Sequence, residues 1–195
     1  MSVKLQKGQK VSLSKERAGL SKIIVGLGWD EAPRKRGLFG AKPADIDCDA
    51  FVLMLQGGKL VDVKDIVYFG NLSHKSGSVV HTGDNLTGAG EGDDEQIIIE
   101  LDKVPAAYDK LILAVNIYQA DKRKQDFGMI QNAFIRLVDA RNNEEMCIYN
   151  LTENYAGQTA MLFGELYRHN GEWKFGAVGM GTKDIGINEF AKRYR

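Results

Sequence analysis

Cysteine and proline are scarce in this chain of 195 residues, and its charge has no excess of either sign. Two cysteines, Cys48 and Cys147, are too few for a secreted disulfide scaffold or a cysteine-rich zinc centre. The 26 Lys and Arg balance 26 Asp and Glu, so the basic excess of a dedicated nucleic-acid binder is missing. No apolar run approaches the roughly 20 residues that cross a bilayer. The opening MSVKLQKGQKVSLSK also lacks the apolar core of a secretory signal. These absences predict a soluble cytoplasmic protein with no specific nucleic-acid partner. Neither a Gly-x-Ser-x-Gly nucleophile elbow nor a phosphate loop occurs. His74, His81 and His169 are not spaced as a metal triad. The length suits one domain, and no linker divides residues 1–195.

Glycine, by contrast, is plentiful: 22 residues against three prolines, which implies many turns and close backbone approaches. Between these punctuators lie short runs rich in aliphatic and β-branched residues, among them 23–25, 51–55, 97–101, 111–118, 133–138, 146–149, 160–167 and 173–178. Their length selects strands over helices. Asn170-Gly171 supplies the positive φ angles of a tight hairpin, and the segment 141–144 separates another pair of strands. Arg136 and Glu145 fit outward positions in alternating strands. Helix is confined to one turn over 127–132 and a short terminal helix over 187–194. The segment 34–40, with Arg34, Lys35 and Arg36, reads as an exposed, mobile loop. The expected fold is all-β, an antiparallel two-sheet β-sandwich with few short helices.

One segment stands apart chemically. From Gly83 to Glu95 there are five carboxylates and four glycines, and no Lys or Arg lies between Lys75 and Lys103. Crowded carboxylates repel unless a counter-charge or full solvation intervenes. Glycines let the backbone fold back so that oxygens converge. That combination suits a hard cation, calcium before magnesium, because calcium accepts 6–8 oxygens in irregular loops. Zinc is disfavoured, since His81 is the loop's only imidazole and there is no thiol. Asp84 and Glu95 have EF-hand spacing, but Leu86, Gly88 and Ala89 occupy positions where that loop needs other residues. The EF-hand is therefore rejected and the calcium inference kept.

A second acidic cluster, Asp45, Asp47 and Asp49, precedes a strong strand, and alternate residues there are expected to share a face. Asp30 ends another strand. Loops gather at the ends of a sandwich, so these groups and the glycine-rich loop are predicted to form one rim of oxygen ligands. Cys48 and Cys147 read as small buried hydrophobes rather than reactive thiols.

The Gly26–Asp30 turn, the Asp-x-Asp step at 45–47, the His81–Glu95 loop and the string 164–168 together resemble the tellurium-resistance TerD family. The similarity runs from Val3 to about Val178. The resemblance implies a cytoplasmic calcium-binding β-sandwich linked to tellurite and chemical-stress resistance, binding one or two ions and acting beside other stress-resistance proteins. It places Asp30, Asp45, Asp47, Asp84, Asn85, Asp93, Asp94 and Glu95 in the acidic motif, with carbonyls near Gly88, Gly90 and Gly92 completing the shell. The leading expectation is a non-enzymatic binding or scaffold module. The alternatives are a metal-dependent enzyme acting on phosphate esters, which needs a basic clamp, and calcium-dependent docking to anionic membrane.

Overall fold

Residues 2–32, 45–83 and 92–195 are described by the computed structural model. The segment 34–40 and Asp84, Asn85, Gly88 and Gly90 lie outside them. Two six-stranded sheets face each other. The strands are β1 (Val3–Leu5), β2 (Lys10–Ser12), β3 (Lys22–Glu31), β4 (Cys48–Leu55), β5 (Ile66–Val67) and β6 (Val79–His81). They continue as β7 (Glu95–Glu100), β8 (Lys110–Ile117), β9 (Ile130–Asp139), β10 (Glu144–Asn150), β11 (Ala160–His169) and β12 (Glu172–Thr182). The first sheet runs β1-β10-β9-β3-β7-β6 and the second β2-β12-β11-β8-β4-β5. Among the described residues, three short helices, α1 (Leu13–Glu16), α2 (Ala120–Arg123) and α3 (Ile187–Ala191), complete the regular structure with single 3-10 turns.

The first sheet alternates as a one-sided sheet must. In β7, Glu95, Ile97 and Ile99 are buried while Gln96, Ile98 and Glu100 are partly exposed. Ile23, Val25, Leu27, Ile135 and Leu137 join Ile97 and Ile99 against Val52, Met54, Leu113, Val115 and Phe163 of the second sheet. The apolar runs of β4 and β8 do not alternate, because both their faces are covered. Their outer row, Phe51, Leu53, Leu55, Ile112 and Ala114, lies beneath Phe190 and Ala191 of α3. Phe190 meets Phe51 edge to face with ring centres 5.2 Å apart. Arg193 donates to Asp184 at 2.6 Å and holds the end of that helix down. No helix among the described residues is long and apolar enough to cross a membrane.

The β-sandwich is as expected, but the first sheet is mixed rather than wholly antiparallel. β1 runs parallel to β10, with Val3 opposite Cys147 and Leu5 opposite Tyr149. β1 and β2 are joined by a tight turn at Gly8, φ 83°, yet belong to different sheets. Hairpin connection dictates antiparallel pairing only for strands within one sheet. The direction of β1 is therefore not set by β10. The Asn170-Gly171 turn has φ 53° and 77°, as its hairpin requires.

Candidate functional site

The site begins with absent side chains. Gly26 and Gly28 occupy alternate positions on the outer face of β3, where Gly26 pairs with Gln96 of β7 and Arg136 of β9. A Cβ on Gly26 would stand 2.2 Å from the Asp93 carboxylate, and one on Gly28 would stand 2.4 Å from the Phe134 ring. Asp93 thus lies flat on the sheet because β3 offers no side chain there. Its Oδ1 accepts from Arg136 Nε at 2.7 Å, and its Oδ2 accepts from Arg136 Nη2 at 3.1 Å and Gln96 Nε2 at 3.0 Å. This is a bidentate guanidinium clamp.

The next two carboxylates go elsewhere. Asp94 is tied to β3 at both ends: its backbone N–H donates to Leu27 O at 2.8 Å, and its Oδ2 accepts from Trp29 N at 2.8 Å. Burial raises the Asp94 carboxyl above its ordinary value, the Trp29 bond opposes that, and the nearby charges of Asp30 and Asp93 add to it. Glu95 pairs with Leu27, turns inward and is buried. Its Oε2 accepts from Ala50 N of the second sheet at 3.1 Å. His81 Nε2 stands 2.8 Å from the same oxygen without the alignment of a hydrogen bond. His81 Nδ1 accepts from Gly83 N at 3.0 Å, which leaves the ring proton on Nε2, towards Glu95.

The second acidic cluster reaches the same end of the molecule. Asp30 accepts from Asn132 Nδ2 at 2.8 Å. Ile46 N donates to Glu31 Oε1, and Gln125 Nε2 donates to Asp45 O at 3.3 Å. Asp47 accepts from Tyr118 N at 2.7 Å through its carbonyl, and its carboxylate lies 3.6 Å from Arg123. β4 begins only at Cys48, so the alternation expected across 45–49 has no strand beneath its first half. The two clusters nonetheless share an environment: the Cys48 thiol is pushed well up by burial and then by Asp49, Asp47, Glu95 and Asp94. Among the described residues no three His, Cys, Asp or Glu side chains converge as a closed ligand set.

The TerD domain family profile matches residues 1–194. The chain belongs to the TerD family. A TerD-family relative, stress response protein SCP2 of Bacillus subtilis strain 168, is 57% identical over 198 residues, covering 100% of both chains. The tellurium resistance protein TerD of Serratia marcescens is 50% identical, covering 93% of this chain and 91% of its own. A solved structure of a telluride resistance (TerD) homologue from Streptomyces coelicolor A3(2) superposes with TM-score 0.62 at 23% identity. That pair covers 84% of this chain and 90% of the other, and supports the fold.

In this TerD domain the thiols are poor nucleophiles. Both cysteines are buried and free, and burial pushes Cys147 up to about 12. Sequence reasoning missed Arg136, Gln96 and Asn132 as partners of the acidic motif. An arginine at an outward strand position was the signal for the first, but its partner lies 43 residues away and only the β3–β9 and β3–β7 pairings unite them.

Proposed function

We propose that this TerD-family protein is a calcium-binding stress-resistance module rather than an enzyme. The observation that carries this reading is Asp94: a half-buried carboxylate held by Trp29 N on one oxygen and crowded by the charges of Asp30 and Asp93. Like charges gathered this closely favour a positive partner, and a hard cation supplies one. The donor set fits such an ion because it is oxygen only. Asp30 and Asp94 are the described residues nearest to serving as its ligands, with Asp45 and Asp47 on the rim and the inward-turned Glu95 behind them. Asp84, Asn85, Gly88 and Gly90, which the family resemblance adds to the set, lie outside the described residues. Asp93 belongs to the same set on different terms, since Arg136 already balances its charge.

The bound ion supplies charge neutralisation: it lets repelling carboxylates close together and orders the surface they form. The relatives' names, stress response and tellurium resistance, support assignment of that surface to chemical-stress resistance. A phosphate-ester enzyme requires a basic clamp for substrate, and Arg136 is committed to Asp93. The partners are then other stress-resistance proteins, met in the cytoplasm.

Calorimetric titration of metal-stripped protein with calcium and magnesium tests the reading. Calcium is expected to bind more tightly. At free calcium about 100 times the dissociation constant, unfolding should be harder by about 2.7 kcal/mol. No heat of binding and an unchanged melting curve would sink the proposal, and turnover in a metal-supplemented hydrolase screen would replace it.

A further inference from the structure

A second site lies on the outer face of the second sheet. A groove of about 660 Å³ opens between β4, β8, the segment after β5 and the entry to α3. Its walls are apolar and unusually bare: Phe69 is 50% exposed and Ile185 is 53% exposed, with Tyr68 and Tyr118 beside them. Volumes of about 300–1,000 Å³ with apolar walls and a few placed polar groups are typical of small-molecule sites.

The floor holds the deciding residue. Asn116 projects from β8 in the row whose other members, Ile112 and Ala114, pack into the apolar layer under α3. It is 4% exposed, and its Oδ1 accepts no hydrogen bond among the described residues. A buried amide oxygen without a donor weakens the fold, and an apolar side chain of the same shape avoids that cost. The terminal torsion of Asn is soft and roughly two-fold, so the oxygen can turn towards the groove. Asp49 pairs with Asn116 across the β4–β8 ladder and lines the same groove. Asp121 stands at the rim against one cation, Lys122, so the lining is net acidic. Arg123 rests on the Tyr118 ring at 5.2 Å, a cation on one aromatic face of the lining.

We propose that this groove binds a small organic cation: a primary ammonium carried on an apolar, ring-bearing body. The ammonium donates to Asn116 Oδ1 beside Asp49, and the body lies against Tyr68, Phe69, Tyr118 and Ile185. The groove needs no bound calcium, although Asp49 belongs to the acidic cluster expected above at the calcium rim.

Phenethylamine, 2-phenylethanol and 3-phenylpropionate share a ring and differ in charge, and their binding to 15N-labelled full-length protein can be followed by amide shifts. Saturable shifts are expected at Phe69, Asn116, Tyr118 and Ile185, with the amine about tenfold tighter than the alcohol. Asn116→Leu should fold with an unchanged or higher melting temperature and should bind amine and alcohol alike. Ile185→Arg, at an exposed position, should weaken the amine about tenfold by placing a guanidinium at the mouth. Tighter binding of the carboxylate, shifts scattered away from the groove, or an amine preference that survives Ile185→Arg would each overturn the proposal.

Discussion

Arg136 shows how one side chain changes the meaning of an acidic motif. The Asp93 side chain is 1% exposed and Arg136 32% exposed, so the pair sits between the buried and surface regimes. Arg136→Leu leaves Asp93 pressed onto Gly26 without a counter-charge. The expected loss is about 2 kcal/mol, between the limits for exposed and buried pairs. The double variant Arg136→Leu/Asp93→Leu should recover part of it in urea denaturation. Gly26→Ala should cost stability by the converse route, displacing the carboxylate while the arginine remains. A smaller loss than for a surface alanine substitution would contradict the packing argument. The acidity and glycine content of this region were legible in the sequence. The split of Asp93, Asp94 and Glu95 among the outer face, the β3 backbone and the interior was not, because it follows from the pairing of three strands.

At the scale of elements, α3 is the roof over a double-faced sheet. Phe190 is fully buried against Phe51, Leu53 and their neighbours. Phe190→Ala should cost about 3–5 kcal/mol, as loss of a buried aromatic ring usually does, and should expose the apolar row of β4 and β8. Equilibrium urea unfolding measures the loss, and binding of a hydrophobic dye to the native protein reports the exposure. A midpoint equal to that of the parent would mean the helix is ornamental. The sequence made this arrangement partly readable: the unbroken apolar runs at 51–55 and 111–118 and the terminal helix over 187–194 were all evident. Strands β1, β2, β5 and β6 were not, since two or three residues carry too little pattern. Their conformation is imposed by the neighbours they pair with, and the parallel setting of β1 has no local signature at all.

Across the whole molecule, the β3–β9 pair carries a carboxylate site at each end. Asp30 lies near Gln131 at one end, and Asp139 lies opposite Ile23 at the other. Asp139 is buried, and Arg141 donates to it from Nη2 at 2.6 Å and from Nε at 2.9 Å. That bond holds the Asp139 carboxyl below the ordinary carboxylate range, against the opposing effect of burial. On acidification the unfolded chain takes up this proton first. The stabilisation is therefore complete above about pH 3.9, the ordinary Asp value, and is lost as pH falls through the lower folded value. Asp139→Asn should lower stability at neutral pH and flatten the acid limb of a urea-midpoint profile. Parallel profiles for parent and variant would refute the linkage.

The two sheets also impose a birth order on the chain. Val3 pairs with Cys147 and Val11 with Phe175, so the first two strands find partners only near the other end of the sequence. As the polypeptide leaves the ribosome, β1 and β2 must wait, extended and unpaired, until β10 and β12 have emerged. Pairings so distant are slow to form, because the long loop must close before any contact rewards it. In the interval β10 and β12 present open edges on which another nascent copy can nucleate. The hazardous moment thus falls late in synthesis, when residues 3–12 dock last.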